Sequence, residues 1–236
     1  MPVARPPGRR RDPGDGVDGW LTSTHESLFR RRARGGACHS ARLPPQGRRA
    51  VPVTVPGPVA VVSGPPGAGK STVAALLAAA VPPAVHLPAD AFWEFLVGGV
   101  SPYRSAAQRQ NETVMKAVAA AATGYARGGY RVFLDAVVGP WFLGPFVTAA
   151  RATGTELRWV VLRPDEQTVV ARAGARGAGA LTAPGPVRAM YDQFRDLGRY
   201  EGHALDTTGE PPAVTAERVR GHLARSASLL VPAADR

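Results

Sequence analysis

Residues 59–72 have the sequence VAVVSGPPGAGKST, in which small and β-branched residues lead into a glycine-rich loop and a lysine. The segment from Gly64 to Ser71 fits the pattern G-x-x-x-x-G-K-S/T at each fixed position. The glycines allow a tight turn in which successive backbone N–H groups point inward and can bind phosphate oxygens. The stretch therefore predicts a strand, a phosphate-binding loop and a helix that begins near Lys70.

The loop predicts a site for a nucleoside triphosphate and Mg²⁺. The residues expected to contact the nucleotide are Gly64, Pro65, Pro66, Gly67, Ala68, Gly69, Lys70, Ser71 and Thr72. Lys70 would place its charge on the β- and γ-phosphates, and the Ser71 hydroxyl would coordinate Mg²⁺. The alternative is a Gly/Pro turn that happens to precede a lysine.

Strand and helix signals alternate along the rest of the chain. Strands are predicted over 59–62, 84–87, 130–134, 157–162 and 204–206. Helices are predicted over 70–80, 105–127, 142–153, 166–176, 186–197 and 213–229. In the long helix, Met115, Val118, Ala122 and Tyr125 recur every three to four positions, which predicts one buried face. This alternation is typical of an α/β fold in which helices cover both faces of a parallel sheet.

The formal net charge of +11 is unevenly distributed. Residues 1–50 contain eleven Arg and four acidic residues, so they carry +7 and leave +4 for residues 51–236. Because an Arg-, Gly- and Pro-rich segment buries too little apolar surface to form a core, we expect a disordered tail before one domain over 51–236. The alternative is a nucleic-acid-binding arm. We expect no nucleic-acid role beyond this tail, because the remainder is only mildly basic.

Cysteine content and hydropathy bear on the cellular compartment. Cys38 is the one cysteine, so no intrachain disulfide can form, as expected in a reducing compartment. No run approaches the ~18 apolar residues of a membrane span. The Arg-rich start lacks the ~7–15-residue apolar stretch of a secretory signal. We therefore expect a cytoplasmic protein with no membrane partner, whose oligomeric state the sequence leaves open.

Acidic residues follow two of the predicted strands. Asp90 comes after the second strand, and Asp135 ends the third, in the run VFLD. Because doubly wound folds bind ligands at the carboxyl ends of parallel strands, we expect both carboxylates to converge on the loop. Asp90 could instead cap the helix that begins near Ala91, and Asp135 could be a capping or turn residue.

The loop, these two carboxylates and the pair Arg172 and Arg176 resemble the small P-loop kinases. This group includes chloramphenicol phosphotransferase-like, zeta-toxin-like, and gluconate- and shikimate-kinase-like proteins, often described as AAA-type ATP-binding domains. The resemblance covers about Val59 to Leu229, and the N-K-x-D motif of GTPases and the L-S-G-G-Q signature do not occur. It implies ATP as the nucleotide and a P-loop NTPase three-layer sandwich, with a five-stranded parallel sheet in the order 2-3-1-4-5.

The resemblance also implies roles for individual side chains. Asp90 would orient the acceptor hydroxyl and take its proton, and Asp135 would hold a Mg²⁺-bound water or the acceptor. Arg172 and Arg176, four apart on one helical face, would close as a lid and neutralise the transferring phosphoryl group. Arg163 is a further candidate for that task. The arginines could equally be solvated surface residues, and Ala91 stands where many relatives have a second acid.

The expected function is transfer of the γ-phosphoryl group of ATP to a hydroxyl of a small molecule. Aromatic residues near the strand ends either wall an acceptor pocket or belong to the core: Phe92, Trp93, Tyr103, Trp141 and Phe142. A sugar acid, a nucleoside or an antibiotic is compatible with such a pocket. The alternative functions are a nucleotide-binding regulator that hydrolyses ATP without transfer, and a nucleic-acid-associated protein that uses the basic tail.

Overall fold

A sheet of mostly parallel strands forms the centre of the computed structural model, which describes residues 55–176 and 181–234. Its strands are β1 (Val59–Ser63), β2 (Ala84–Pro88), β3 (Arg131–Asp135), β4 (Leu157–Leu162), β5 (Ala204–Leu205) and β6 (Leu229–Val231). The α-helices are α1 (Lys70–Ala79), α2 (Ala91–Glu94), α3 (Gln108–Arg127), α4 (Leu143–Thr153), α5 (Glu166–Gly174), α6 (Pro184–Asp192) and α7 (Pro212–Leu223). Short 3₁₀ turns lie at Ser105–Ala107, Pro140–Phe142, Gly198–His203 and Ser226–Ser228.

The strand order β2-β3-β1-β4-β5 is the predicted one, and these strands pair in parallel. Parallel neighbours require long crossovers, which the intervening helices supply. The predicted count of five strands is wrong, because β6 also pairs with β4, in the antiparallel sense. The two-residue β5 covers only Val161 and Leu162 of β4, and β6 covers the other end at Leu157 and Arg158. Together β5 and β6 pair an edge that would otherwise expose backbone groups.

Two apolar cores lie on opposite faces of the sheet. In β1, Val59 and Val61 point into one core and Ala60 and Val62 into the other, because side chains alternate along a strand. The first core is closed by α3 and α4, with Val118 and Phe146 among its fully buried side chains. The second is closed by α1 and α7, which contribute Val73 and Val219. This arrangement is the expected three-layer sandwich.

Several predicted helix features differ from the structure. The helix predicted over 186–197 covers Pro184–Asp192 instead. The final helix ends at Leu223 and not at Leu229, because the chain turns there into β6. The helix predicted to reach Arg176 ends at Gly174, which begins a stretch rich in glycine, a poor helix former. Arg172 and Arg176 therefore do not share a helical face. Tyr125 is 47% exposed, and the buried face of α3 continues through Ala126 instead.

Some predictions fall on residues that the structure does not describe. The tail predicted over residues 1–50 lies outside the described residues, and so do residues 177–180 of the predicted flexible stretch Gly177–Gly185. The described residues all fall within one contact unit, Pro52–Arg236. None of the described helices has the length and apolar character that crossing a membrane requires.

Candidate active site

The carboxyl ends of three strands and the glycine-rich loop meet at one edge of the sheet. Val62 in β1 lies opposite Asp135 in β3, and Asp135 lies opposite Pro88 in β2. The backbone N–H of Ala89 donates to the carbonyl of Asp135 over 2.8 Å, and Asp90 follows directly. The sheet thus brings both strand-end carboxylates to the edge from which the loop departs.

The loop is built on glycines at points of close backbone approach. A Cβ atom on Gly64 would lie 2.2 Å from the carbonyl oxygen of Leu162, and one on Gly67 would lie 2.4 Å from that of Val169. Both residues, and Gly69 at the N-cap of α1, have positive φ angles of 138°, 88° and 94°. The first turn of α1 contains no acidic residue. The positive end of the helix dipole therefore faces the loop uncompensated, which favours an anion.

Lys70 is buried with 6% of its surface exposed, which is rare for a lysine. Its Nζ donates a hydrogen bond to the carbonyl of Pro65 over 3.1 Å, across the mouth of the loop. Burial lowers the pKa of Lys70, whereas the nearby carboxylates of Asp135 and Asp90 raise it. The ammonium group is thus held in a partly desolvated position, where additional negative charge would stabilise its protonated form.

Asp90 stands at the junction between the loop and a cavity. It occupies the N-cap position of α2, but its side chain accepts no capping hydrogen bond, so the structure does not support the capping interpretation. Asp90 is exposed to solvent, and its side chain lines the cavity. Desolvation by the surrounding protein raises the pKa of Asp90, Lys70 lowers it, and Asp135 raises it further. A raised pKa makes the carboxylate a better proton acceptor at neutral pH.

Asp135 and Ser71 carry the oxygen atoms that could hold Mg²⁺. Asp135 is buried, and its carboxylate accepts no hydrogen bond from the described residues. Its nearest ionisable neighbour is His86, whose Nε2 lies 3.9 Å from Oδ2, too far for a hydrogen bond. Ser71 is exposed in the first turn of α1. A carboxylate with free oxygens and a hydroxyl are hard ligands of the kind Mg²⁺ prefers, so these residues fit the ion.

Ser63, which sequence analysis missed, ties the segment after Asp135 to the end of β1. Its hydroxyl donates to the carbonyl of Val138 over 2.7 Å and accepts from the N–H of Val138 over 2.9 Å. Trp159 Nε1 donates to the same carbonyl over 3.1 Å. The only signal in the sequence was the polar residue that ends an otherwise apolar strand.

The predicted lid arginines lie in different surroundings. Arg176 is one of the charges that act on both Lys70 and Asp90, whose pKa values are shifted chiefly by burial. Arg172 instead acts on Asp165, the carboxylate that caps α5 by accepting from the N–H of Thr168 over 2.7 Å. Arg176 thus acts on residues of the predicted site, and Arg172 acts on a residue at the start of α5.

Arg163 has a structural partner. Its guanidinium donates to both carboxylate oxygens of Glu201, over 3.0 and 2.9 Å. The same guanidinium donates to the carbonyls of Phe194 and Arg195. These bonds join the end of β4 to the segment after α6.

Beside Asp90 lies a cavity of about 490 Å³. Of the predicted aromatic wall, four residues line it: Trp93, Tyr103, Trp141 and Phe142. Phe92 instead packs against the core and against Phe95, with ring centroids 5.6 Å apart. Asn111 also lines the cavity and accepts a hydrogen bond from Trp93 Nε1 over 3.0 Å. The position of Asn111 in the first turns of a long helix did not reveal this contact.

The family of the chain follows from a match over this region. Residues 59–196, which are more than half of the chain, match the AAA domain family AAA_33. The chain belongs to this family. No curated protein matches the sequence.

Solved structures with the same fold include kinases and a resistance protein. The tunicamycin resistance protein of Deinococcus radiodurans is 16% identical with a TM-score of 0.55, over 75% of this chain and 99% of that one. The APS kinase of Mycobacterium tuberculosis, solved with AMPPNP and APS, is 18% identical with a TM-score of 0.55, over 72% and 99%. A sugar kinase from Janibacter sp. HTCC2649 is 16% identical with a TM-score of 0.56, over 73% and 97%.

These similarities confirm the predicted fold class and the resemblance to the P-loop small-molecule kinase group. At such low identity the solved structures establish the shared fold. The reaction that this chain catalyses depends on its own site residues and not on the fold alone.

Proposed function

We propose that the protein transfers the γ-phosphoryl group of ATP to a hydroxyl of a small molecule. The main support for the proposal is the position of Asp90. Its carboxylate is electrostatically coupled to Lys70 of the loop and also lines the cavity. A single carboxylate thus lies between a site suited to phosphates and a site suited to an organic molecule, as phosphoryl transfer to a hydroxyl requires.

The loop and Lys70 hold the phosphates in this proposal. Backbone N–H groups of the loop and the N-terminus of α1 bind the phosphate oxygens, and the Lys70 ammonium reaches the β- and γ-phosphates. Because Lys70 is already desolvated, its attraction to the phosphates is not weakened by a hydration shell. Ser71 and Asp135 hold Mg²⁺, which supplies positive charge to the phosphate oxygens when bound. Arg176 adds positive charge on the same side.

Asp90 acts on the acceptor. Its carboxylate accepts a hydrogen bond from the acceptor hydroxyl and orients the oxygen toward the γ-phosphorus. As the new O–P bond forms and the bond from the γ-phosphorus to the bridging oxygen breaks, the hydroxyl proton moves to Asp90 and ADP leaves. Burial raises the pKa of Asp90, which favours this proton transfer.

The first experiment tests transfer directly. Full-length protein, Mg²⁺ and ATP are incubated with a pooled library of hydroxylated metabolites and antibiotics, and mass spectrometry detects any compound that gains one phosphate. Lys70→Ala, which lacks the lysine expected to bind the phosphates, is the negative control. Asp90→Asn should lose most transfer, by roughly 10²–10⁴-fold, while ATP binding stays nearly intact.

The matched control is Glu217→Gln, which neutralises an exposed acid on α7 that pairs with Arg220. This variant should retain wild-type transfer. A fully active Asp90→Asn enzyme would rule out the base role. Slow ATP hydrolysis that no library compound accelerates would favour the alternative function, a regulator that binds and hydrolyses ATP without transfer.

A further inference from the structure

Much of the lining of the cavity beside Asp90 is aromatic or apolar. Its members include Trp93, Trp141, Phe142, Met115 and Met190. Its volume of about 490 Å³ lies within the ~300–1,000 Å³ range of pockets that hold drug-sized molecules. Flat π-faces and thioether side chains match a ring with apolar faces better than they match an acyclic polyol.

Hydrogen bonds fix the aromatic wall in place. Trp93 Nε1 donates to Asn111 Oδ1 over 3.0 Å, and Asn111 Nδ2 donates to the carbonyl of Pro102 over 2.8 Å. Both ends of the Asn111 amide are thus engaged. Trp141 is 45% exposed and packs edge-on against the buried ring of Phe194, with centroids 5.3 Å apart. Contacts within the protein thus restrain Trp93 and Trp141 before a ligand binds, which lowers the entropy cost of binding.

Few charged side chains line the cavity. Among the described residues that line it, Asp90 and Arg104 are the ones with formal charge, one of each sign. Arg104 is exposed, so its charge is well hydrated. The remaining polar lining consists of neutral side chains, namely Tyr103, Ser105, Gln108, Asn111 and Gln193. Tight recognition of a carboxylate or phosphate ordinarily uses paired, bidentate cations, and the lining offers no such pair among these residues.

Tyr103 adds a neutral hydrogen-bond donor to this lining. Desolvation raises the pKa of Tyr103, the negative charge of Asp90 raises it further, and the positive charge of Arg176 lowers it. The phenol therefore stays protonated near neutral pH and can donate to an oxygen of a bound molecule. Asp90 would also repel an anion in direct contact with its carboxylate, while the nearby charges of Lys70 and Arg176 are available to the phosphates.

We propose that the acceptor is an uncharged, ring-containing alcohol of drug-like size, whose ring packs against the aromatic lining that includes Trp93 and Trp141 and whose hydroxyl reaches Asp90. The proposal rests on the proposed phosphotransferase function and narrows its substrate class. It excludes sugar acids and other anionic acceptors as the preferred substrates. Ser105, Gln108 and Gln193 offer the neutral hydrogen bonds that such an alcohol can use.

The test compares neutral and anionic acceptors in matched pairs. Thymidine and phenylpropanediol are each paired with an analogue that carries a carboxylate, and gluconate serves as the acyclic anion. With wild-type protein and Mg²⁺·ATP, the neutral ring compounds should have a kcat/KM on the order of tenfold or more above that of their anionic partners. Preferred phosphorylation of gluconate or of the carboxylated analogues would overturn the proposal while leaving the kinase function intact.

Trp141 provides the variant test. Trp141→Ala should raise the KM for the neutral ring acceptor on the order of tenfold with a smaller change in kcat, whereas Trp141→Phe should retain most of the affinity. Tyr130→Ala is the matched control, because it truncates an exposed aromatic residue at the opposite end of the sheet, just before β3. An unchanged KM in Trp141→Ala would overturn the proposed ring site.

A binding measurement tests the proposed acceptor class independently of phosphoryl transfer. The quenching of tryptophan fluorescence by each acceptor is measured with AMPPNP present. Neutral ring compounds that bind in a Trp141-dependent way without being phosphorylated would support the site while contradicting the transfer function. If the neutral ring compounds neither bind nor react, the proposed substrate class is wrong.

Discussion

The hydroxyl of Ser63 and the backbone of Val138 hydrogen bond to each other in both directions, over 2.7 and 2.9 Å. Ser63 is the last residue of β1, directly before the glycine-rich loop, and Val138 lies three positions beyond Asp135. The pair therefore fixes the segment that carries Asp135 relative to the loop. Val138 is also held by Trp159 through the same carbonyl, so one buried backbone unit joins β1, the segment after β3 and β4.

Replacing Ser63 with alanine should weaken both the fold and the nucleotide site. The substitution leaves the buried N–H and C=O of Val138 without the serine hydroxyl, which costs about 1–3 kcal/mol in the free energy of unfolding. Because Asp135 loses a restraint, the Mg²⁺ concentration for half-maximal activity should rise. Denaturant unfolding and a Mg²⁺ titration measure the two effects. Ser226→Ala, at an exposed position after α7, should change stability by less than ~0.5 kcal/mol.

Gly67→Ala should abolish productive nucleotide binding. At a φ of 88°, an alanine Cβ would lie 2.4 Å from the carbonyl oxygen of Val169, so the loop or α5 must shift. Calorimetry should show ATP affinity reduced on the order of tenfold or more, since phosphate binding by the glycine-rich loop depends on aligned backbone N–H groups. Gly144→Ala is the matched control, because that helical glycine has open space around it. It should bind ATP normally and gain up to about 1 kcal/mol of stability. Normal ATP affinity in Gly67→Ala would contradict phosphate binding by the backbone of this loop.

Asp90→Asn should raise the melting temperature at neutral pH. The folded protein holds the pKa of Asp90 above its ordinary value of 3.8, chiefly by desolvation, so the ionised form destabilises the fold. This destabilisation is fully present above the raised pKa and vanishes as pH falls below the unfolded value. The stability gain of Asp90→Asn should therefore shrink when melting is measured toward pH 3.8.

Asp206→Asn should behave in the opposite way. Hydrogen bonds from Thr208 lower the pKa of Asp206 in the folded protein, so its ionised form stabilises the fold. This stabilisation is present above the unfolded pKa and is lost as pH falls through the folded one. Asp206→Asn should lower the melting temperature at neutral pH, and the loss should shrink in acid. Melting curves of the two variants that shift in the same direction would contradict these electrostatic assignments.

Local sequence rules were enough to predict the centre of the fold. The glycine loop, the apolar strands around it and the acids at the strand ends depend on short-range chemistry and on the rule that parallel strands place their carboxyl ends together. For this reason β4 has the predicted bounds, and Asp90 and Asp135 lie at the same edge. The strand order came from the resemblance and not from spacing.

The remaining features depend on tertiary contacts that no local pattern records. Pairing of Leu229–Val231 with β4 depends on the edge that the short β5 leaves open. Tyr125 was predicted to be buried because a period of three to four residues cannot separate it from Ala126, yet only Ala126 faces the core. The contacts from Asn111 to Trp93 and from Ser63 to Val138 join residues 18 and 75 positions apart.

Arg176→Gln and Arg172→Gln should affect the reaction unequally. Arg176 is among the charges that act on Lys70 and Asp90, so its removal should lower kcat, by the 10²–10³-fold order typical of a lost charge-stabilising group. Arg172 acts on Asp165 at the start of α5, so Arg172→Gln should keep kcat within about threefold and serves as the matched control. Steady-state kinetics on any phosphorylated acceptor give both values. Equal losses would support two lid arginines, because a lid that closes over the nucleotide would bring Arg172 to the phosphates as well.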